Sequence, residues 1–501
     1  MAHIVEISDG VLINNLYRML YNELGKVGFR DIFVKIGVAS KIEKGEIGAD
    51  EVNKIQGWID GQNTQDDEKI KLLKSLEEFR KISDDKNQFK NQLEIVKEIY
   101  SLVIKNMIIY VELQRFLKPL TDERLIEKLE KIQEHALKVA GFRRDNIIHQ
   151  FRVFMLGCYI LYEDKDFWVA RFRTDLTKIF RTDILEGVRG YTTEHIDFKY
   201  VLAIWMISSL FHDYGKVIED AQKEFKRVKD TYNEVINNLP EADDLSFNIP
   251  LSLEDSIELS KAEDLFKKNF KKTFVDVNVS QIIVNSIERR NSIERRDMPE
   301  ELRHGHGTVS SALLIYHATE RRRLYLSHFF NYYVMVLASC IAIALHDNQK
   351  YFFCSSLTQL LVICDNIQEW NRITAIGDKE EMIFPCQRIY IKLEGKEDRG
   401  TRTKIIQVFI PYERPEDIIA QEIFKRRFSP EQIWRDNIKS LKAAKDEKAF
   451  SKLFQSGIEL AVHILFDHSG DGCRLKIGYD GTVEYQWTNI YANLLLGKYI
   501  T

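Results

Sequence analysis

His212-Asp213-Tyr214-Gly215-Lys216 closes a stretch that begins at Tyr200 and stays apolar through Leu210-Phe211 before turning polar at the His-Asp doublet. This pattern predicts a helix over 200–217. Adjacent residues on a helix point about 100° apart, so His212 and Asp213 can grip one ion from two sides only near a helix end or a distortion, which Gly215 would ease. Lys216 lies one turn beyond His212 and shares its face.

Working outward, the same juxtaposition recurs. His149 heads an apolar helix predicted over 146–161 (Phe151, Val153, Phe154, Met155, Leu156), and His306 stands in His304-Gly305-His306-Gly307 ahead of the small residues Ser310, Ser311 and Ala312. His346 ends the apolar helix predicted over 329–345, and Leu360-Leu361-Val362-Ile363-Cys364 delivers Asp365, with Gln368, Glu369 and Trp370 on the following turn. A lone histidine on an apolar face is ordinarily a satisfied core residue. Four histidines and two aspartates at the ends of apolar stretches are different, because burying polar groups without partners costs several kcal/mol each. A divalent metal supplies the missing partner, and imidazole with carboxylate suits zinc, iron, manganese or nickel better than calcium or magnesium.

Two assignments stay open at this point. His304 stands two residues from His306 and competes with it, although Gly307 and the small residues favour 306. His346-Asp347, with Lys350 four residues on, is itself a His-Asp doublet, but nothing in it matches Gly215. His317 and His328 have no motif around them and read as structural or surface residues.

The bulk properties bound the class. With 501 residues the chain is too long for one hydrophobic core, and two or three domains are expected. A formal net charge of −4 gives no general attraction for nucleic acid, although Lys267–Lys272, Arg321-Arg322-Arg323 and Lys425-Arg426-Arg427 are local basic clusters. The cysteines at 158, 340, 354, 364, 386 and 473 include no C-x-x-C pair and read as reduced residues of a cytoplasmic protein. The start, MAHIVEISDG, lacks the pattern of a signal peptide, and the longest apolar run, Tyr332 to Leu345, is shorter than the roughly 20 residues of a membrane span.

The expected fold is mainly α: a helical N-terminal region over 1–130, an all-helical core over 131–375 interrupted by an insertion at 218–300, and a small α+β domain over 376–501. Between Leu93 and Leu117 the apolar positions Val96, Ile99, Tyr100, Val103, Ile104, Met107, Ile108 and Val111 follow helical spacing, with Pro119 as the stop. These N-terminal helices are expected to pack on the next domain or on a second copy in a homo-oligomer. Gly61 to Asp67 reads as a loop, and Thr121-Asp122-Glu123 as a helix start. The insertion carries a tandem hexapeptide, Asn285 to Arg290 repeated at 291–296, read as a local duplication since two copies do not make a solenoid. In the last region, Arg388–Glu394 with Lys404–Ile410, and Cys473–Tyr479 with Thr482–Trp487 across Asp480-Gly481, read as hairpins. Ser429-Pro430-Glu431-Gln432 reads as a helix start, and Asp467–Gly472 as a turn.

His149, the His212-Asp213 doublet and Asp365, in that order, resemble the H…HD…D signature of the HD superfamily of metal-dependent phosphohydrolases. The resemblance spans roughly 130–375. With Gly215-Lys216, His306 and His346 added, the chain is similar to the members that hold two metals, which include phosphodiesterases and a CRISPR nuclease. The resemblance implies one ion held by His149, His212, Asp213 and Asp365, and a second held by His306 and His346 with Asp213 as a bridge. It further implies that a hydroxide shared by ions roughly 3.5–4 Å apart attacks phosphorus in line. Lys216 would neutralise charge on the phosphoryl oxygens and contact the substrate. The substrate implied is a nucleotide-type phosphoester or phosphoanhydride. Single-stranded nucleic acid, or binding as a sensor without turnover, are the alternatives.

Overall fold

The structure is a computed structural model. It describes residues 4–23, 28–62, 67–85, 88–108, 113, 114, 117, 146–179, 196–216, 306, 307, 310, 311, 314, 330–346, 355–368, 374–376, 379–383, 388–398, 401–412, 458–466, 472–477 and 483–488. Among these the secondary structure is mainly helical. The hexapeptide repeat, the rest of the 218–300 insertion, the three basic clusters, His304, His317, His328, Asp347 and Lys350, and the helix starts at 121 and 429 lie outside them, as does nearly all of the 467–472 turn.

After a short strand, β1 (Ile4–Ile7), the N-terminal part forms α1 (Asp9–Asn22), α2 (Phe29–Ile36), α3 (Ala39–Lys44), α4 (Ala49–Asp60), α5 (Glu68–Ile82) and α6 (Phe89–Met107). The strand is an addition to the purely helical region expected there. The apolar spacing of α6 does its predicted work, since Val96, Ile99, Tyr100, Val103, Ile104 and Met107 are all buried. Its end is a correction: the helix stops at Met107 instead of running to Leu117. Ile108 turns to extended backbone (φ −81°, ψ 111°), at the head of the β-branched and aromatic run Ile108-Ile109-Tyr110-Val111 that disfavours helix. The Gln114 side-chain amide donates to the carbonyls of Lys105 and Ile108, satisfying groups that the ended helix would leave bare.

The helices around the candidate site residues are α7 (Asn146–Glu163), α8 (Lys165–Ile179), α9 (Phe198–Phe211), α10 (Phe330–His346) and α11 (Ser356–Ile367). Every residue of α9 other than Lys199 is buried, so it is the central helix, packed between α7 and α10, with α11 resting on both α10 and α7. The approach of α7 to α9 depends on Gly157. A Cβ there would stand 1.9 Å from the Trp205 ring, whose indole N–H donates to the Phe154 carbonyl at 3.0 Å. On the far side, Ser339 of α10 donates to the Ile204 carbonyl of α9 at 3.1 Å.

The N-terminal helices brace α7. Buried Arg152 makes a two-pronged pair with buried Asp9 in the first turn of α1 (Nη2 to Oδ2 2.8 Å, Nε to Oδ1 3.1 Å), and the guanidinium stacks over Phe79 of α5. Tyr100 of α6 donates its hydroxyl toward the Ile147 carbonyl and Gln150 Oε1 at the start of α7. Cys158, Cys340 and Cys364 are buried free thiols, as the sequence suggested.

Beyond α11 the chain is β-structured. A two-stranded ribbon, β2 (Thr374–Ile376) with β3 (Lys379–Ile383), precedes a six-stranded sheet in the order β1-β4-β5-β6-β7-β8. β4 (Ile389–Asp398) and β5 (Thr401–Tyr412) form the first expected hairpin, in register from Tyr390↔Phe409 to Asp398↔Thr401. β7 (Gly472–Ile477) and β8 (Val483–Thr488) form the second, with Ile477↔Val483 as its innermost pair. β6 (Ile458–Phe466), an apolar run not singled out in the sequence, lies parallel to β5 between the two hairpins. The first strand of the chain, β1, completes the edge beside β4. The inward residues Ile389, Ile391, Ile406, Val408 and Ile458 join the same apolar core as the helices.

Candidate metal centre

The helix of the His-Asp doublet ends one residue before the doublet itself. α9 stops at Phe211, His212 is its C-cap, and residues 212–215 form a turn. This is the helix end that the adjacent pair requires, because Asp213 leaves the helical path and can turn back toward His212. One expectation changes as a result: Lys216 lies beyond the end of α9, past the turn, and not on the helix that His212 caps. Its backbone N–H instead donates to the Asp213 carbonyl at 2.9 Å, and its side chain is half-buried beside the turn.

Six side chains meet at one end of the helix cluster. His149 comes from the first turn of α7, His212 from the end of α9, His346 from the last residue of α10, and Asp365 from the last turn of α11. Asp213 sits in the middle. Its Oδ2 lies 4.0 Å from His149 Nε2 and 3.7 Å from His212 Nε2, while its Oδ1 lies 3.0 Å from His306 Nε2 and 3.9 Å from His346 Nε2. Asp365 Oδ1 stands 2.8 Å from His149 Nε2 and 3.6 Å from His212 Nε2. The Nε2 atoms of His306 and His346 are 3.2 Å apart. All six residues named from the sequence as ligands are therefore together, His306 among them; His304 lies outside the described residues.

The ring orientations come from backbone and amide carbonyls. His212 Nδ1 donates to the Ser209 carbonyl at 2.8 Å, and His346 Nδ1 donates to the Ile343 carbonyl at 2.6 Å. His149 Nδ1 is hydrogen-bonded to the Gln368 side-chain oxygen. With the proton on Nδ1, each Nε2 carries a lone pair, which is the tautomer a metal needs. These lone pairs face carboxylate oxygens, acceptor against acceptor, and that is stable only with a cation or protons between them. His212 Nε2 expresses the mismatch most sharply, since it is fully buried and has no hydrogen-bond partner. Three helix C-termini, those of α9, α10 and α11, also end here, and their dipoles favour positive charge.

The two subsets whose ligand atoms all lie within 4.8 Å of one another are His149, His212 and Asp365, and His212, Asp213 and His346. Nitrogen and carboxylate oxygen donors in this mixture fit a divalent transition metal. In the absence of metal the same proximity shifts the titrations. Burial pushes the His212 imidazole down, but the Asp213 and Asp365 carboxylates and the Ser209 carbonyl outweigh it and raise its pKa. Burial works to raise both carboxylates, yet His212 and His306 hold Asp213, and His149 and His212 hold Asp365, well below the usual carboxylate range.

Exposure is uneven across the site. The side chains of His149, His212 and His346 are at most 1% exposed, whereas Asp365 retains 26% and His306 14%. Among the six, Asp365 and His306 retain the most exposure.

Two residues hold the arrangement without having been given a role from the sequence. Ser310 places its hydroxyl 2.7 Å from the His212 carbonyl and 2.9 Å from the His306 carbonyl, and accepts the Gly215 N–H at 2.7 Å, pinning the doublet's turn to the segment of His306. Gln368 sits three residues past Asp365, the helical spacing that puts both on one side of α11. That spacing was the available signal. Comparison with protein-family models, curated proteins and solved structures finds no match to this chain.

Proposed function

We propose that the protein is a metal-dependent phosphohydrolase of the HD type, cleaving a phosphoester or phosphoanhydride bond of a nucleotide-type substrate. The observation that carries this reading is the convergence of four imidazoles on two carboxylates, with the buried Nε2 of His212 unpartnered. His149, His212, Asp213 and Asp365 would hold one divalent ion. His306 and His346 would hold a second, with Asp213 shared, in keeping with the way its two oxygens face different histidines. Such ions supply Lewis acidity toward water and toward phosphoryl oxygens.

The chain's own residues do the rest. Carbonyls of Ser209 and Ile343 hold the Nδ1 protons of His212 and His346, which leaves each Nε2 as the atom that would meet a cation. His149, His212, Asp213 and His346 are buried among apolar helices, and a low-polarity surround strengthens the electrostatic interactions inside. Lys216, in the turn that carries Asp213, is the residue assigned to phosphoryl charge, and a well-aimed cation of this sort contributes roughly 10²-fold or more.

Elemental analysis of the purified full chain, together with hydrolysis of bis-p-nitrophenyl phosphate and a nucleotide panel, tests the reading. The expected result is metal in the wild type, loss of metal and activity together in His212→Ala and Asp213→Ala, and retention of both in His317→Ala. A metal-bearing protein inert toward every substrate would replace catalysis by sensing. No transition metal in the wild type, after reconstitution, would end the proposal.

A further inference from the structure

On the metal reading above, we infer that Gln368 is a positioning residue that sets the tautomer of His149. The end of α11 grips the His149 ring from both sides: Asp365 faces Nε2 at 2.8 Å, and Gln368, the C-cap three residues on, meets Nδ1 with its amide oxygen. Gln368 is completely buried, and its own backbone N–H is tied to the Cys364 carbonyl at 3.1 Å, so the amide is held in place. His212 and His346 obtain the same service from backbone carbonyls of their own helices, three residues upstream in each case. His149 stands in the first turn of α7, and its Nδ1 takes its partner from a different helix. A neutral amide oxygen supplies it without bringing a third carboxylate into a site that already buries two. The consequence is that His149 Nε2 is kept deprotonated and aimed at the cation.

The test is a titration of the metal-stripped full chain with Co²⁺, followed by its electronic absorption, for wild type, Gln368→Met and Gln368→Glu, with thermal melting of each metal-free protein. Loss of such an outer partner typically weakens metal binding by about 10–100-fold. Gln368→Met is expected to do so while melting within a few degrees of wild type, and Gln368→Glu, which offers the same acceptor, is expected to bind Co²⁺ at least as tightly as wild type. Should Gln368→Met fail to fold, Gln368→Glu carries the test, and weaker cobalt binding by that variant overturns the inference. Cobalt binding by Gln368→Met equal to or tighter than wild type also overturns it, because the amide would then present its N–H₂ and His149 would be a proton donor to Asp365. If the wild type binds no Co²⁺, it is the metal reading that fails, and the two failures are distinct.

Discussion

Gly307 lies directly beneath the carbonyl of Ile343, so close that a Cβ on it would stand 2.1 Å from that oxygen and 2.9 Å from His346 Nδ1. The same carbonyl accepts the proton of His346 Nδ1. A side chain at 307 must therefore displace the group that orients one histidine while shifting His306, its own neighbour. Gly307→Ala is expected to destabilise the fold by on the order of 1–3 kcal/mol through overpacking. It is also expected to lower metal content. Thermal melting and elemental analysis check this, and a variant with wild-type values in both would show that the contact is not maintained in solution.

Ser310 offers a subtler test of the same junction. Its hydroxyl is the acceptor for the buried Gly215 N–H and reaches the carbonyls of His212 and His306. Ser310→Ala leaves that N–H without a partner, which costs about 1–3 kcal/mol. The urea midpoint should fall accordingly and metal affinity should weaken, since the turn and the His306 segment are no longer tied. No change in the midpoint would mean that another acceptor replaces the hydroxyl.

Metal and protons compete for the same imidazoles, and the sign of the competition follows from the titration shifts. In the metal-free protein the His212 pKa is raised because its carboxylate neighbours and the Ser209 carbonyl outweigh the opposing effect of burial. The stability it contributes is fully present below about 6.5, the unfolded value, and is lost as pH rises through the folded value. Asp213 and Asp365 are depressed despite burial, so their contribution is present above about 3.9 and is lost as pH falls through their folded values. The metal-free protein is therefore most stable on the acidic side of neutrality, between those limits. A metal requires neutral imidazole, so its stabilising effect grows with pH. The difference in melting temperature between Mn²⁺-loaded and chelator-treated protein should widen from about pH 5.5 to about pH 8. A difference that narrows over that range would count against ligation by these histidines.

The histidines and aspartates were legible because they break apolar periodic stretches, and a polar group at the end of a buried helix stands out against its neighbours. α7, α9, α10 and α11 were legible for the same reason. The end of α9 at Phe211 was foreseen only as a condition on the doublet, and Lys216 was carried one turn too far along a helix that had already stopped. α6 failed at its C-terminus because hydrophobic spacing continued past the point where the backbone turned, and the capping Gln114 gives no signal in the periodicity. β1 and β6 went unread since β1 has only four residues, and Glu459 and His463 interrupt the otherwise apolar β6 without making an alternating pattern. The partner that makes each a strand lies far away in sequence: Ile4 opposite Lys392, and Ile458 opposite Lys404. Ser310 was not legible because its contacts are with residues far away in sequence, and for Gln368 only the three-residue spacing from Asp365 gave a signal.

The Asp9–Arg152 pair connects the N-terminal helices to α7 and thereby to His149, three residues from Arg152. Both side chains are at most 1% exposed, and the two-pronged geometry satisfies the fork of the guanidinium. Removing one partner strands a buried charge, so Asp9→Ala should cost about 3–5 kcal/mol. Replacing the pair together, as Asp9→Leu with Arg152→Met, removes both desolvation penalties and is expected to cost far less than the sum of the single variants. Denaturant unfolding of the two singles and the double measures the coupling directly. If α1 serves as a brace for α7, Asp9→Ala also weakens Co²⁺ binding at the His149 side, and the double variant restores much of it. Additive costs across the three variants would show instead that Asp9 and Arg152 act independently, and that the position of His149 is set within α7 and α11 alone.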